Sequence, residues 1–158
     1  MKTFVLLFLL LSCAVAFGQK KAPAVKDPWG GAYKLDLSQS KFAGTAPREE
    51  TITVASAKKD SIKYTISGKN LEGNSYTISY GGKVGVESPE LLEGKPIAQI
   101  TYQMRSQREF TSQGRAGDGS TATGVITLSP DGRTITVHQH DKDAQGIEHD
   151  QTFVYVRQ

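Results

Sequence analysis

Residues 61–80, SIKYTISGKNLEGNSYTISY, decide the fold. Ile62, Tyr64 and Ile66 alternate with Lys63, Thr65 and Ser67; after a polar interval, Tyr76, Ile78 and Tyr80 alternate with Ser75, Thr77 and Ser79. Successive side chains of a strand point to opposite faces, so each run carries one apolar and one polar face. Residues 70–74 hold two asparagines and Gly73, the chemistry of a tight turn, and the two runs therefore read as a hairpin.

The same period continues on both sides. Upstream, Ile52, Val54 and Ser56 alternate with threonines and alanine; downstream, Ala98, Ile100, Tyr102 and Met104 alternate with Gln99, Thr101 and Gln103. Further strands are expected at residues 32–37, 108–113, 122–128, 134–140 and 149–156. Turn signals stand between them at residues 58–60, 129–132 and 141–146. No stretch of ten or more residues shows a helical period with caps; the best helical candidate, residues 89–94, is a single turn. About nine short strands, within a range of eight to ten, joined by tight turns make an antiparallel up-and-down meander, and closing it into a β-barrel removes exposed edges. A two-sheet β-sandwich is the alternative; sequential hairpins favour the barrel.

The N-terminus carries an export signal: Lys2, an unbroken apolar run at residues 4–11, then small residues at Ala14, Ala16 and Gly18. The run is far shorter than the ~20 residues that span a bilayer as a helix. Cleavage after Gly18 gives a signal peptide of residues 1–18, a flexible proline-bearing tether of residues 19–28 and a barrel domain of residues 29–158. Cleavage after Ala16 is the other option. Leu10-Leu11-Ser12-Cys13 also resembles a lipobox, in which Cys13 is lipidated; Leu11 and the apolar continuation through Phe17 favour ordinary cleavage. Cys13 is the only cysteine, so a chain starting at Gln19 has no disulfide, no thiolate zinc ligand and no cysteine nucleophile. The expected location is periplasmic or secreted.

Formal net charge is +3, and the lysines and arginines are scattered, which argues against a nucleic-acid partner and against a polybasic membrane contact.

From Gly31 onward the chain resembles small uncharacterised exported β-proteins of soil bacteria. The likeness lies in Gly31-Ala32-Tyr33-Lys34-Leu35-Asp36, Ser40-Lys41-Phe42, Pro47-x-x-Glu50-Thr51, Asp131-Gly132-Arg133-Thr134 and Asp143-Ala144-Gln145-Gly146. It implies export and a β-fold, and no activity. The opening also resembles the Gly-x-Trp of the lipocalin superfamily, with tyrosine in place of tryptophan. That likeness implies a ring, Tyr33, closing one barrel end and a late arginine, Arg157, lying across it. The other reading is that Tyr33 is simply the first inward residue of its strand.

Chemistry-bearing groups are few. His138, His140 and His149 fall within twelve positions, the first two on one strand face. If the last hairpin centres on Ala144-Gln145, His140 lies opposite His149 and all three imidazoles converge as a metal site needs; a one-residue slip sends His149 to the other face. An exposed polar face is the favoured reading. Asp141-x-Asp143-x-Gln145-Gly146 begins like a calcium loop but has Thr152 where the bidentate glutamate belongs, and reads as an ordinary hairpin loop. No serine elbow, zinc helix or phosphate loop is present. Acidic residues are plentiful, which leaves a carboxylate pair in a pocket open; most of them are expected at solvated strand ends and turns.

Three functions fit these residues. The first is a binding module without cofactor or catalysis, holding a small apolar or amphipathic molecule inside the barrel. Tyr64, Tyr76, Tyr80, Ile100 and Tyr102, with Ile66, Ile78 and Met104, would line it. The second is a non-catalytic envelope or stress protein with a filled barrel. The third is a metal-assisted enzyme or metal carrier built on the histidines. Sequence does not fix the oligomeric state.

Overall fold

A computed structural model describes residues 27–158. The expected signal peptide, Cys13 and most of the tether lie outside these residues. Ten strands follow one another: β1 (Gly31–Leu35), β2 (Glu49–Ala57), β3 (Ser61–Lys69), β4 (Ser75–Lys83), β5 (Ser88–Leu92), β6 (Lys95–Ser106), β7 (Glu109–Ala116), β8 (Thr121–Leu128), β9 (Thr134–Lys142) and β10 (Glu148–Arg157). Each pairs antiparallel with its sequence neighbours, and β1 pairs with β10 through Tyr33↔Arg157, Lys34↔Val156 and Leu35↔Tyr155. The sheet is thus a closed meander barrel with no free edge, and no helix occurs among the described residues. The barrel is all-β as the period-two pattern requires, and the sandwich alternative is excluded.

Three local features depart from the sequence reading. Residues 89–94 are not a helical turn: Ser88–Leu92 is strand β5, and Glu93 (φ 48°) with Gly94 (φ 77°) makes the tight turn into β6. Two consecutive left-handed residues match the twist of a two-residue hairpin. Pro89 has no N–H to give, and pairing with β4 stops at Tyr80↔Glu90, which keeps the seam short and the strand signal weak.

In β2, a bulge between Val54 and Ser56 inserts an extra residue. Ser56, expected on the inner face, instead pairs with Lys63, and Ala57 turns into the core at 6 % exposure.

The third departure is the last hairpin. Its loop has three residues, 144–146, with Gly146 at φ 86°, and the amide of Asp143 donates to Ile147 at 2.9 Å. Asp143 caps the loop by accepting from the amides of Gln145 (2.9 Å) and Ile147 (2.8 Å). An odd loop length shifts the register by one from the two-residue centre, pairing His140 with Asp150 and His149 with Asp141.

The core sits at one end. Trp29, Tyr33, Leu35, Ala57, Ile62, Phe110, Leu128 and Ile135 are all buried where the chain enters β1 and leaves β10. Trp29 stands edge-on to Phe110, ring centres 5.3 Å apart, and its indole N–H donates to the Gln107 carbonyl at 2.9 Å. Asp27 belongs to this plug: its carboxylate accepts from the amides of Trp29 (3.0 Å) and Ala57 (2.7 Å).

The residues named in the lipocalin likeness meet here. The Arg157 guanidinium lies 4.4 Å from the centre of the fully buried Tyr33 ring and donates to the carbonyls of Gly132 (2.8 Å), Gly30 (2.7 Å) and Pro28 (3.0 Å). A Cβ on Gly31 would come within 2.4 Å of the guanidinium, so only glycine leaves room for it.

Candidate ligand-binding cavity

Above the plug the barrel is hollow. A cavity of about 520 Å³ runs from Trp29 and Phe110 toward the opposite end, where the loops of residues 36–48, 70–74, 117–120 and 143–147 form the rim. Its wall is mainly Ile52, Val54, Ile66, Ile78, Ala98 and Ile100, the inward members of the alternating runs. Several are only half-buried although they point inward, because they face the cavity instead of another side chain.

The expected lining residues divide. Tyr64, Ile66, Ile78, Ile100 and Tyr102 line the space. Tyr80 is behind it, 3 % exposed and stacked on Tyr64 with ring centres 5.5 Å apart, its edge against Tyr102 at 5.0 Å. Tyr76 lies across Gly68, where a Cβ would meet its phenol at 2.6 Å, and so reaches over to Glu50. Met104 packs against the core without reaching the cavity wall.

Two carboxylates stand inside the barrel. Glu50, in phase with Ile52 and Val54, accepts hydrogen bonds from Tyr76 at Oε2 and from Tyr155 at Oε1 (2.5 Å). Glu90, on β5, accepts from Tyr64 at Oε1 (2.6 Å). The Tyr64 proton is committed to Glu90, so in the 2.9 Å contact between the Tyr64 and Tyr102 hydroxyls it is Tyr102 that donates.

Burial pushes Glu90 above the usual carboxylate range, offset in part by the Tyr64 hydrogen bond. Burial also raises the phenols of Tyr64, Tyr76, Tyr102 and Tyr155, with the neighbouring carboxylates adding to it in each case. These tyrosines remain neutral donors at physiological pH.

Period two places Glu50 inward, a signal available in the sequence. Glu90 had none, because its strand was not legible.

The histidines do not come together. His138 and His140 are on the outer face, hydrogen-bonded to Thr152 Oγ1 (3.1 Å) and Asp150 Oδ1 (2.9 Å); Asp150 raises His140 above the ordinary imidazole value. His149 points inward at the rim with Asp143 3.9 Å away. Three imidazoles split between two faces of one sheet cannot share an ion, and among the described residues no group of three or more potential ligands is arranged to hold a metal. The carboxylates of the calcium-like segment are engaged elsewhere, Asp143 by loop amides and Asp141 by the Gln139 and Gln151 side-chain amides at 2.7 and 2.5 Å.

No family model and no curated protein matches the chain. Solved structures do. The fluorescent protein UnaG superposes with a TM-score of 0.60 at 12% identity, over 84% of this chain and 98% of that one. A Schistosoma mansoni fatty acid binding protein, solved with arachidonic acid, gives 0.55 at 15% identity over 83% and 96%. At these identities the likeness is one of fold: an antiparallel meander closed into a barrel, as in these two proteins.

Proposed function

We propose that this protein is an exported, non-enzymatic binder that holds one small apolar or amphipathic molecule inside its barrel. The observation that carries the reading is the cavity of about 520 Å³, apolar along most of its wall, plugged at one end by Trp29 and reached at the other between loops. A filled barrel would have no such space. Barrels of similar fold that hold small molecules support the reading, as the arachidonic acid complex illustrates. Export rests on the apolar run and small residues of the N-terminus.

The test is titration with Nile red, a neutral apolar dye whose fluorescence rises in a dry site. One equivalent should bind, and Ala98→Trp, which projects a large ring from the wall into the cavity, should weaken binding by about tenfold or more while leaving the β-sheet circular dichroism intact. Absence of binding, or binding indifferent to Ala98→Trp, would remove this function.

A further inference from the structure

The charge inside the barrel selects the kind of ligand. Of the charged side chains along the cavity wall, Arg115, Asp141, Lys142, Asp143 and His149 belong to the rim, and Arg115 is already engaged by Glu87 through two hydrogen bonds of 3.0 Å. The remaining charged groups on the wall are Glu90 and, one residue pair below the 70–74 loop, Glu50. Arg157 is held below the plug by backbone carbonyls.

Every donor these two carboxylates have is a tyrosine hydroxyl. Phenols stabilise a carboxylate by hydrogen bonding but bring no positive charge, and a half-buried carboxylate in an apolar wall gains most from a cationic partner. Glu90 also keeps an open position: Oε1 takes the Tyr64 proton, and Oε2 accepts no hydrogen bond among the described residues. The two acids line one cavity together with Tyr155, which donates to Glu50.

We propose that the barrel takes a cationic amphiphile, a molecule with a protonated amine or quaternary ammonium head and an apolar body. The head pairs with Glu90 in the field of Glu50, and the body lies along Ile52, Ile66, Ile78 and Ile100. The electron-rich faces of the surrounding tyrosines add to the attraction. A carboxylate ligand would meet like charge and would have to bind protonated, or force a proton onto Glu90. The head-group class is therefore opposite to that of the arachidonic acid bound by the Schistosoma barrel. This inference rests on the interior being a ligand site, and the experiment separates the two claims.

Dodecylamine, dodecanol and laurate share a chain and differ in head charge. Each is used to displace Nile red from the protein at neutral pH, below its micelle concentration. Dodecylammonium should displace the dye at a concentration about tenfold or more below either of the others. Glu90→Gln and Glu50→Gln, made singly so that misfolding of one leaves the other, should each shrink that advantage while changing dodecanol by no more than about twofold. Dodecanol matching the amine, or laurate surpassing it, overturns the charge inference and leaves the apolar cavity standing. Failure of Nile red itself to bind overturns both.

Discussion

The two ends of the barrel use the same strands to opposite purposes. At the plugged end, Trp29, Phe110, Leu128 and Ile135 are 2–3 % exposed and pack ring against aliphatic chain, with Arg157 tying three carbonyls and the Tyr33 ring together. At the rim end, the inward residues of the same strands face empty space, and Leu37, Leu71 and Ile147 of the rim loops are about half exposed. Side-chain size contributes: Trp29, Tyr33 and Phe110 fill one end, whereas Ala98, Gly114 and Ala122 leave room at the other. Stability is concentrated where the barrel is filled, and binding capacity where it is not.

The largest expected contrast is between matched isoleucines. Ile135→Ala removes methylenes of a side chain only 2 % exposed and should cost about 2–5 kcal/mol in denaturant unfolding. Ile66→Ala, on the cavity wall, should cost about half as much, because its side chain already lacks neighbours on one side. Equal costs would mean that the cavity collapses in solution and that the two ends do not differ.

Arg157→Lys probes the plug more finely. Lysine keeps the charge but loses the planar fork that reaches Gly132, Gly30 and Pro28 at once, so a loss of about 1–3 kcal/mol is expected by thermal or denaturant unfolding. A variant as stable as the parent would show that this end is held by the aromatic and aliphatic side chains alone.

The finest effect lies in the hollow half. Burial raises Glu90 in the folded state above its value in the unfolded chain. The stability associated with the neutral acid is then fully present below the unfolded carboxylate value and lost as pH rises through the higher folded one. Glu90→Gln abolishes that loss. Its stability relative to the parent should therefore improve from acid to neutral pH, measured as the difference in melting temperature across that window. A constant difference would place Glu90 in water instead of in the barrel wall.

The alternating runs at residues 62–66, 76–80 and 98–104 made the β class, the hairpin order and the inner face legible in the sequence, because burial of one strand face imposes period two wherever a strand is regular. The Gly31, Tyr33 and Arg157 closure was suggested only by the resemblance to the lipocalin opening; the need for glycine at 31 and the ring–guanidinium contact emerge only in the folded barrel. The signal failed where strands are short or irregular: Pro89 and a two-residue turn hid β5, and the bulge in β2 moved Ser56 outward. Register was a tertiary decision as well. One residue in the last loop determines whether His149 faces the outer histidines or the cavity, and composition is the same in both cases. Whether the barrel is full or hollow, and whether Glu50 and Glu90 meet a cation inside it, depends on how side chains from distant strands converge on one volume. No local pattern along a single strand carries that information, because each strand knows only which of its faces turns inward.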